Sequence, residues 1–248
     1  MPAKLSVPAL FVTATDTEVG KTAVASALAV LLRRRGRDVG VMKPVASGCD
    51  EADGELVSAD GICLARAAGV DDAHELVCPM RLRHPLAPSV AAELEHRSID
   101  LSVVWDAVHT LADRHDCLIV EGIGGIMVPI MGDYLVADMA AEFGVPVLVV
   151  ARAGLGTINH SLLTVEFARS RGLDVAAIVL NSPAKSAGGL AEDTNPSVIA
   201  SLAGPTPVIG PLRHCGGVSV DTGELGDLPA ALAGLDGIDK LVEECFEV

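Results

Sequence analysis

The sequence predicts a single-domain α/β fold with a mainly parallel β-sheet flanked by helices. Apolar strand segments alternate with helical segments along the 248 residues, which is typical of β-α-β units with right-handed crossovers. A glycine-containing turn at residues 15–22, between the first strand and the first helix, is typical of a phosphate-binding loop. With 50% hydrophobic residues the chain can form one large core, so we predict one domain over residues 1–248.

The apolar runs, and the glycine and proline residues between them, indicate six strands and six clear helices. In chain order the predicted strands are residues 9–13, 38–42, 117–121, 145–151, 175–181 and 207–209. The predicted helices are residues 21–35, 59–68, 101–114, 134–143, 159–171 and 196–202. Segments 182–195 and 216–226, which are rich in small residues, are predicted to be surface loops.

The turn after the first strand, Thr15-Asp-Thr-Glu-Val-Gly-Lys-Thr22, has the features of a phosphate loop. Its backbone N–H groups would bind phosphate oxygens, Lys21 would reach the outer phosphates, and the Thr22 hydroxyl would ligate magnesium. Thr15 stands where the usual pattern has glycine, and we expect a small residue to be sufficient there. A chance Gly-Lys-Thr is the alternative, but the order of strand, turn and helix favours a P-loop NTPase-like fold.

The second strand ends next to Lys43, within Met42-Lys-Pro-Val-Ala-Ser-Gly48. In open parallel sheets, ligands bind outside the carboxyl ends of the strands, so Lys43 would project toward the phosphate loop and Ser47 would lie in the adjoining turn. A second lysine is useful where two anions must be brought together in a partly desolvated site. A solvated surface lysine is the alternative, and the position beside the phosphate loop favours a functional one.

Two acidic residues are candidates for a magnesium site. The third strand ends at Glu121 and leads into Gly122-Ile-Gly-Gly125, a turn in which backbone can approach a ligand closely. Asp60 lies at the start of a predicted helix, where a carboxylate ordinarily interacts with the helix dipole. From the residues alone, Glu121 could cap its own turn, and a capping role is favoured for Asp60.

Two further strand ends carry candidate functional groups: the fourth predicted strand leads into a glycine-containing turn, and the fifth ends at an asparagine. Residues 152–160 open a helix and could bind an anion through free N–H groups, although helix capping by Thr157 or Asn159 explains them equally well. Asn181 could bind an adenine edge through its side-chain amide, but an isolated asparagine is otherwise typical of a turn. Both segments therefore depend on the context of the other motifs.

Composition and charge argue against several classes of protein. The 18 basic and 33 acidic residues give a net charge of −15, which disfavours nucleic acid or an anionic membrane as the main partner. Six scattered cysteines form no Cys-x-x-Cys pair or zinc-like cluster, which indicates a reducing compartment. The N-terminus lacks a signal-peptide core, and the first apolar strand is too short to span a bilayer, so we expect a cytoplasmic protein without membrane segments.

Together these motifs resemble the dethiobiotin synthetase family, which acts in biotin synthesis. The resemblance runs from about Leu10 to Asn181 and rests on residues 15–22, 43–48, 121–125, 155–160 and 181. It implies a homodimer that uses ATP, Mg²⁺, carbon dioxide and 7,8-diaminononanoate. One amine forms a carbamate, the carbamate oxygen attacks the γ-phosphate, and the second amine displaces phosphate to close a cyclic urea.

The resemblance also implies roles for individual residues. The implied catalytic residues are Lys21, Lys43, Thr17 and Ser47, and the implied magnesium ligands are Thr22, Asp60 and Glu121. The implied nucleotide contacts are Thr17, Glu18, Val19, Gly20, Lys21, Thr22, Ala23, Asp60, Glu121, Gly122, Gly124, Asn181 and Arg213. The implied substrate contacts are Lys43, Ser47, Gly124, Gly156 and Asn159, of which Asn159 would serve the neighbouring subunit's site.

This chain departs from the family pattern in three places. Ala14 stands where the family usually has glycine, which we expect to narrow the approach to the phosphates only slightly. Arg213 stands where the family commonly has proline, which leaves base contacts and nucleotide preference open. The sequence beyond Cys215 has no secure match.

Three other functions agree less well with the sequence. A partition-type ATPase shares the general fold, but such proteins resemble one another in a Lys-Gly-Gly opening of the phosphate loop, which Ala14-Thr-Asp16 lacks. A cobyrinate-type amide synthetase would need an attached glutamine-hydrolysing domain, for which the chain after Asn181 is too short. A non-catalytic nucleotide switch would have no need of Lys43.

Overall fold

The computed structural model describes residues 5–184 and 189–247. The strands are β1 (Ala9–Ala14), β2 (Val39–Met42), β3 (Val45–Ala46), β4 (Asp50–Ala52), β5 (Glu55–Val57), β6 (Met80–Arg81), β7 (Cys117–Glu121), β8 (Pro129–Met131), β9 (Tyr134–Leu135), β10 (Val147–Arg152), β11 (Val175–Asn181), β12 (Val208–Leu212), β13 (Val218–Ser219) and β14 (Glu224–Leu225). The helices are α1 (Lys21–Arg34), α2 (Ala59–Ala68), α3 (His74–Val77), α4 (Pro88–Leu94), α5 (Leu101–Ala112), α6 (Val136–Phe143), α7 (Thr157–Ser170), α8 (Leu190–Leu202), α9 (Leu228–Ala233) and α10 (Ile238–Phe246).

Six strands form one parallel sheet in the order β12-β11-β10-β1-β7-β2. These are the six strands predicted from the sequence, with ends shifted by at most three residues. Because β1 pairs with β7 in a register that sets Val12 opposite Glu121, the end of β7 lies beside the start of the phosphate loop. The predicted α/β fold with a parallel sheet flanked by helices is confirmed.

Two apolar cores lie on opposite faces of the sheet. Along β1, Phe11 faces the core formed with α5, α6, α7 and α8, whereas Leu10 and Val12 face the core formed with α1, α2, α9 and α10. All six residues of β1 are buried, as expected for a central parallel strand covered by helices on both faces. The sheet is therefore a rigid base for the residues at its carboxyl edge.

Two loop predictions were wrong in part. Helix α8 begins at Leu190, so the second half of segment 182–195 is helical and Pro196 lies inside the helix rather than at its start. Proline is favoured in the first helical turn, so its place inside α8 is unusual. Residues 185–188 of this predicted loop lie outside the described residues. Segment 216–226 contains the short antiparallel pair β13–β14 instead of loop alone.

Several elements were not predicted, chiefly α3, α4, α9 and α10. Helix α10 shows the periodicity that could have revealed it, because its buried residues are Ile238, Leu241, Val242, Cys245 and Phe246. In the described part of the chain, no helix is both long enough and apolar enough to cross a bilayer.

Candidate active site

A cavity of about 750 Å³ opens at the carboxyl edge of β1, β7 and β2. Sequence-predicted residues that line it are Thr17, Glu18, Gly20, Lys21, Thr22, Ala23, Lys43, Ser47, Asp60, Glu121 and Gly124. The sheet order explains this convergence, since β7 lies between β1 and β2 and all three strands end at the same edge. The structure thus brings together residues up to about a hundred positions apart in sequence.

The phosphate loop is held in place by a strand end. Gly20, just before α1, has φ +91°, and a Cβ there would lie 2.2 Å from Asn181 Nδ2. Asn181 Nδ2 donates a hydrogen bond of 2.8 Å to the carbonyl of Val19. Glycine is therefore required at position 20 both by backbone conformation and by the close approach of β11. Ala14, where the family usually has glycine, is fully buried in the core beside the loop.

Lys43 lies at the centre of a buried charge network. Its Nζ lies 2.6 Å from Glu121 Oε1 and 2.7 Å from Asp60 Oδ2, and it also donates to the carbonyl of Gly122 at 3.1 Å. Thr22 Oγ1 lies 2.8 Å from Glu121 Oε1 and 3.0 Å from Asp60 Oδ1, so the start of α1 joins the same network. Lys43 is 2% exposed and Glu121 is fully buried.

The two lysines of the cavity differ in how strongly their charge is stabilised. Burial opposes the charge of Lys43, but the attraction of Glu121 and Asp60 outweighs it and raises the pKa of Lys43. Burial and the nearby charge of Lys43 lower the pKa of Lys21 to about 8. Lys43 is thus already paired, whereas Lys21 forms no ion pair with any of the described residues. An anion in the cavity would relieve this cost at Lys21.

The acidic side of the network suits a small divalent cation. Glu121 Oε2 is buried and has no hydrogen-bond partner among the described residues, while Thr22 and Asp60 present further oxygen atoms within the same network. No cluster of three or more His, Cys, Asp and Glu side chains arranged for a metal occurs within residues 5–184 and 189–247. A hydroxyl and two carboxylates are nevertheless a suitable set for Mg²⁺, which usually takes its other ligands from water and substrate phosphates.

Other predicted residues lie outside the cavity. Asn181 lines a neighbouring cavity of about 350 Å³ together with Thr17 and Glu18, on the other side of the loop. Val19 and Gly122 do not line the large cavity. The Val19 carbonyl accepts a hydrogen bond from Asn181, and the Gly122 carbonyl accepts one from Lys43. The Arg213 side chain is 71% exposed and lies 3.7 Å from Asp193.

The glycine turn before α7 also lies outside the large cavity. Gly156 and Asn159 are exposed and do not line it. Their role toward a neighbouring subunit stays a prediction.

Several residues that line the cavity were not predicted from the sequence. Pro85, Leu86, Ala87 and Pro88 form one wall where α4 begins, and Ile123 and Val128 add apolar surface. Val220 and Asp221, between β13 and β14, also line the cavity. Among these residues, the segment Pro85-Leu-Ala-Pro88 carried a signal in the sequence, because two prolines that enclose apolar residues indicate a turn before a helix.

Solved structures show the same fold with little sequence similarity. A ParA family ATPase from Chlorobium tepidum superposes with a TM-score of 0.54 at 14% identity, covering 96% of this chain and 99% of that chain. The septum site-determining protein MinD from Pyrococcus horikoshii gives 0.54 at 16% identity, covering 96% and 95%. At these identities the likeness establishes the fold alone.

Sequence comparison establishes the family. A protein-family model described as an AAA domain matches residues 8–221. ATP-dependent dethiobiotin synthetase BioD from Anaeromyxobacter sp. is 45% identical over 201 residues, covering 80% of this chain and 87% of that protein. The enzyme of the same name from Bacillus subtilis subsp. natto is 41% identical over 212 residues, covering 86% and 90%. The chain belongs to the ATP-dependent dethiobiotin synthetase family.

Proposed function

We propose that this protein uses ATP and Mg²⁺ to join carbon dioxide to 7,8-diaminononanoate and close the ring of dethiobiotin, with release of ADP and phosphate. The observation that carries the proposal is the placement of two buried lysines, Lys21 and Lys43, in one cavity at the phosphate loop. The reaction must bring an anionic carbamate against an anionic triphosphate. Two fixed ammonium ions in a partly desolvated cavity reduce that repulsion.

The shape and lining of the cavity support a substrate with a hydrocarbon chain. One wall carries Pro85, Leu86 and Pro88, and Ile123 and Val128 add apolar surface near Gly124. The charged network occupies the floor of the same cavity. A diamine at the end of an aliphatic chain could place its amines near Lys43 and Ser47 while the chain contacts the apolar wall.

Thr22, Asp60 and Glu121 would hold the magnesium ion. When bound with ATP, the ion supplies positive charge at the transferring phosphates. The buried, unpartnered Glu121 Oε2 supports this assignment, because a buried carboxylate oxygen without a partner is costly unless a ligand satisfies it. Lys43 pairs with Glu121 Oε1 and Asp60 Oδ2 and leaves Glu121 Oε2 for the ion.

The roles of the protein side chains follow from where they lie. Backbone N–H groups of the phosphate loop and Lys21 would bind the outer phosphates, and Lys43 would orient the carbamate oxygen toward the γ-phosphate. Once the carbamic-phosphoric anhydride has formed, the second amine attacks its carbonyl carbon and phosphate leaves with the C–O bond electrons. No covalent enzyme intermediate is required.

We further propose a homodimer with its sites near the interface. Leu155, Leu163 and Met127 are 90%, 61% and 60% exposed, and Leu163 and Met127 line an apolar groove of about 410 Å³ next to the phosphate loop. Exposed apolar side chains in one patch indicate a binding surface. Asn159 lies one helical turn before Leu163, so a partner bound here would bring Asn159 toward a neighbouring site.

Light scattering tests the dimer. Leu163→Glu should shift the particle from twice the chain mass of 25.4 kDa to the mass of a single chain, because an ionised carboxylate would be desolvated in the interface. Leu202→Glu on α8, where the leucine is similarly exposed at 59%, serves as the control and should remain dimeric. A monomeric wild-type protein under conditions of full activity would refute the proposal.

A direct assay tests the reaction. Supplied with diaminononanoate, bicarbonate, Mg²⁺ and ATP, the protein should form a product with the mass of dethiobiotin, and phosphate release should depend on the diamine. Lys43→Met should bind ATP but lose most turnover. The alternative, a partition-type ATPase or nucleotide switch of the same fold, predicts ATP hydrolysis that is indifferent to the diamine and no such product.

We also assign the protein to the cytoplasm. All six cysteines lie in the described part of the chain and are free thiols, which is typical of a reducing compartment.

A further inference from the structure

The position of Asp60 depends on how α2 begins. Asp60 is the second residue of α2, and Ser58 is the N-cap, with its Oγ accepting a 3.1 Å hydrogen bond from the N–H of Gly61. From this start, Asp60 reaches both Lys43 Nζ and Thr22 Oγ1. Any group that fixes the backbone of Ser58 therefore fixes the carboxylate of Asp60 two residues later.

His74 is such a group. It is the first residue of α3, and its Nε2 lies 3.0 Å from the backbone nitrogen of Ser58, which donates the hydrogen bond. At the other end of α3, the carbonyl of Val77 accepts a 2.7 Å hydrogen bond from the backbone N–H of Lys43. One four-residue helix thus holds the backbones of Ser58 and Lys43, and so aligns Asp60 with the lysine it pairs with.

We propose that His74 is a positioning residue: by accepting the N–H of Ser58 it sets Asp60 for the divalent cation and phosphates, and it does so only while Nε2 is unprotonated. The inference rests on the proposed function, because it assigns Asp60 to the magnesium site. His74 itself does not line the cavity.

The protonation state of His74 follows from the hydrogen bond. A backbone N–H can only donate, so Nε2 must accept, which requires a neutral imidazole with its proton on Nδ1. Burial of the ring and the charge of Arg81 on β6 disfavour protonation, whereas Glu75 on α3 and Glu55 on β5 favour it. Burial prevails and lowers the pKa of His74, so the bond is present at neutral pH and is lost as the pH falls through that lowered pKa.

Two substitutions separate the hydrogen bond from the bulk of the ring. His74→Phe keeps an aromatic side chain and removes the acceptor, while His74→Gln offers an Oε1 acceptor near the position of Nε2 that never protonates in this range. His109→Gln on α5 is the control for a histidine substitution elsewhere on the surface. All variants are made in the full-length chain and checked for folding by circular dichroism.

Calorimetry with ADP and Mg²⁺ measures the effect without requiring turnover. At about pH 8, His74→Phe should weaken the apparent affinity for Mg²⁺ in the presence of ADP by about 3- to 10-fold, the equivalent of one hydrogen bond, while metal-free ADP binding is unchanged. His74→Gln and His109→Gln should match the wild type. Unchanged Mg²⁺ affinity in a folded His74→Phe variant, or equal losses in His74→Gln and His74→Phe, would overturn the inference.

Two further readouts apply even where His74→Phe does not fold. As the pH falls from about 8 to about 5, Mg²⁺ affinity should fall further in the wild type than in His74→Gln, because other titrating groups are common to both. Long-range ¹H–¹⁵N spectra of the wild type should show the His74 proton on Nδ1. A proton on Nε2, or identical pH profiles, contradicts the role. Because none of these measurements needs diaminononanoate, a failure to form dethiobiotin would refute the proposed function separately.

Discussion

Replacing Lys43 with methionine measures the cost of the buried ion pair at the floor of the cavity. Methionine keeps much of the side-chain length but removes the ammonium ion that lies 2.6 Å from Glu121 and 2.7 Å from Asp60. Glu121 is fully buried, and a buried carboxylate that loses its partner typically costs about 3–5 kcal/mol. The Asp60 side chain is 34% exposed, so the loss of its partner adds little to this cost. Because the charge of Lys21 still acts on Glu121, we expect Lys43→Met to lower the free energy of unfolding by about 3 kcal/mol.

Urea denaturation measures the free energy of unfolding of four proteins: the wild type, Lys43→Met, Glu121→Gln and the double variant. The double variant should recover most of the loss, since it leaves neither charge unpaired. Lys240→Met is the matched control, because Lys240 and Glu244 form an exposed pair, 71% and 56% accessible, whose loss should cost less than about 0.5 kcal/mol. A Lys43→Met variant as stable as this control, or a double variant as unstable as the sum of the singles, would refute the reasoning.

Three further predictions concern the phosphate loop, a charge cluster and the core. Gly20→Ala should lower the free energy of unfolding by about 1–3 kcal/mol and raise the KM for ATP, because φ is +91° and the new Cβ would meet Asn181. An unchanged melting temperature and an unchanged KM would contradict this prediction. His115 is held between two aspartates at 2.9 and 2.8 Å, and although burial opposes its charge, these partners raise its pKa. His115→Gln should therefore lower the free energy of unfolding by about 1 kcal/mol below about pH 6.5, seen as a lower melting temperature. The difference should vanish as the pH rises through the raised pKa, and a loss that grows with pH would contradict the reasoning. Phe246→Ala should lower the free energy of unfolding by about 3–5 kcal/mol in a denaturant titration, because Phe246 is fully buried in the core that α10 shares with α1 and the sheet. A loss below about 1 kcal/mol would mean that α10 is not part of the core.

Much of the fold could be predicted from the sequence because the central strands are buried on both faces. Such strands read as continuous apolar runs, and each run ends at the residue that enters the site, as at Glu121 and Lys43. Parallel pairing then places those ends together without further information. The convergence of Lys21, Lys43 and Glu121 was accordingly within reach of sequence reasoning. Asp60 lies at a helix start, and only the family resemblance assigned it to the site.

The remaining parts depend on tertiary contacts that local patterns do not encode. The two-residue pair β3–β6 and the four-residue α3 are too short to form by themselves and exist because neighbouring elements pack on them. Helix α8 continues through Pro196, against the usual meaning of proline, because Asn195 and Ile199 are buried against the rest of the domain. The contribution of Asp221 to the cavity likewise follows from a hairpin whose place in space the sequence does not reveal.

The burial of α1 by the C-terminal helices bears on how the chain folds as it is synthesised. Residues from Lys21 to Leu32 are buried, and α9 and α10 supply part of that cover, with Arg37 donating a hydrogen bond to the carbonyl of Phe246. Residues 228–246 leave the ribosome after every residue of the phosphate site. Until they do, the nascent chain exposes an apolar face of the helix that carries Lys21 and Thr22. The helix that carries Lys21 and Thr22 is thus fully covered only after the last two helices have been synthesised.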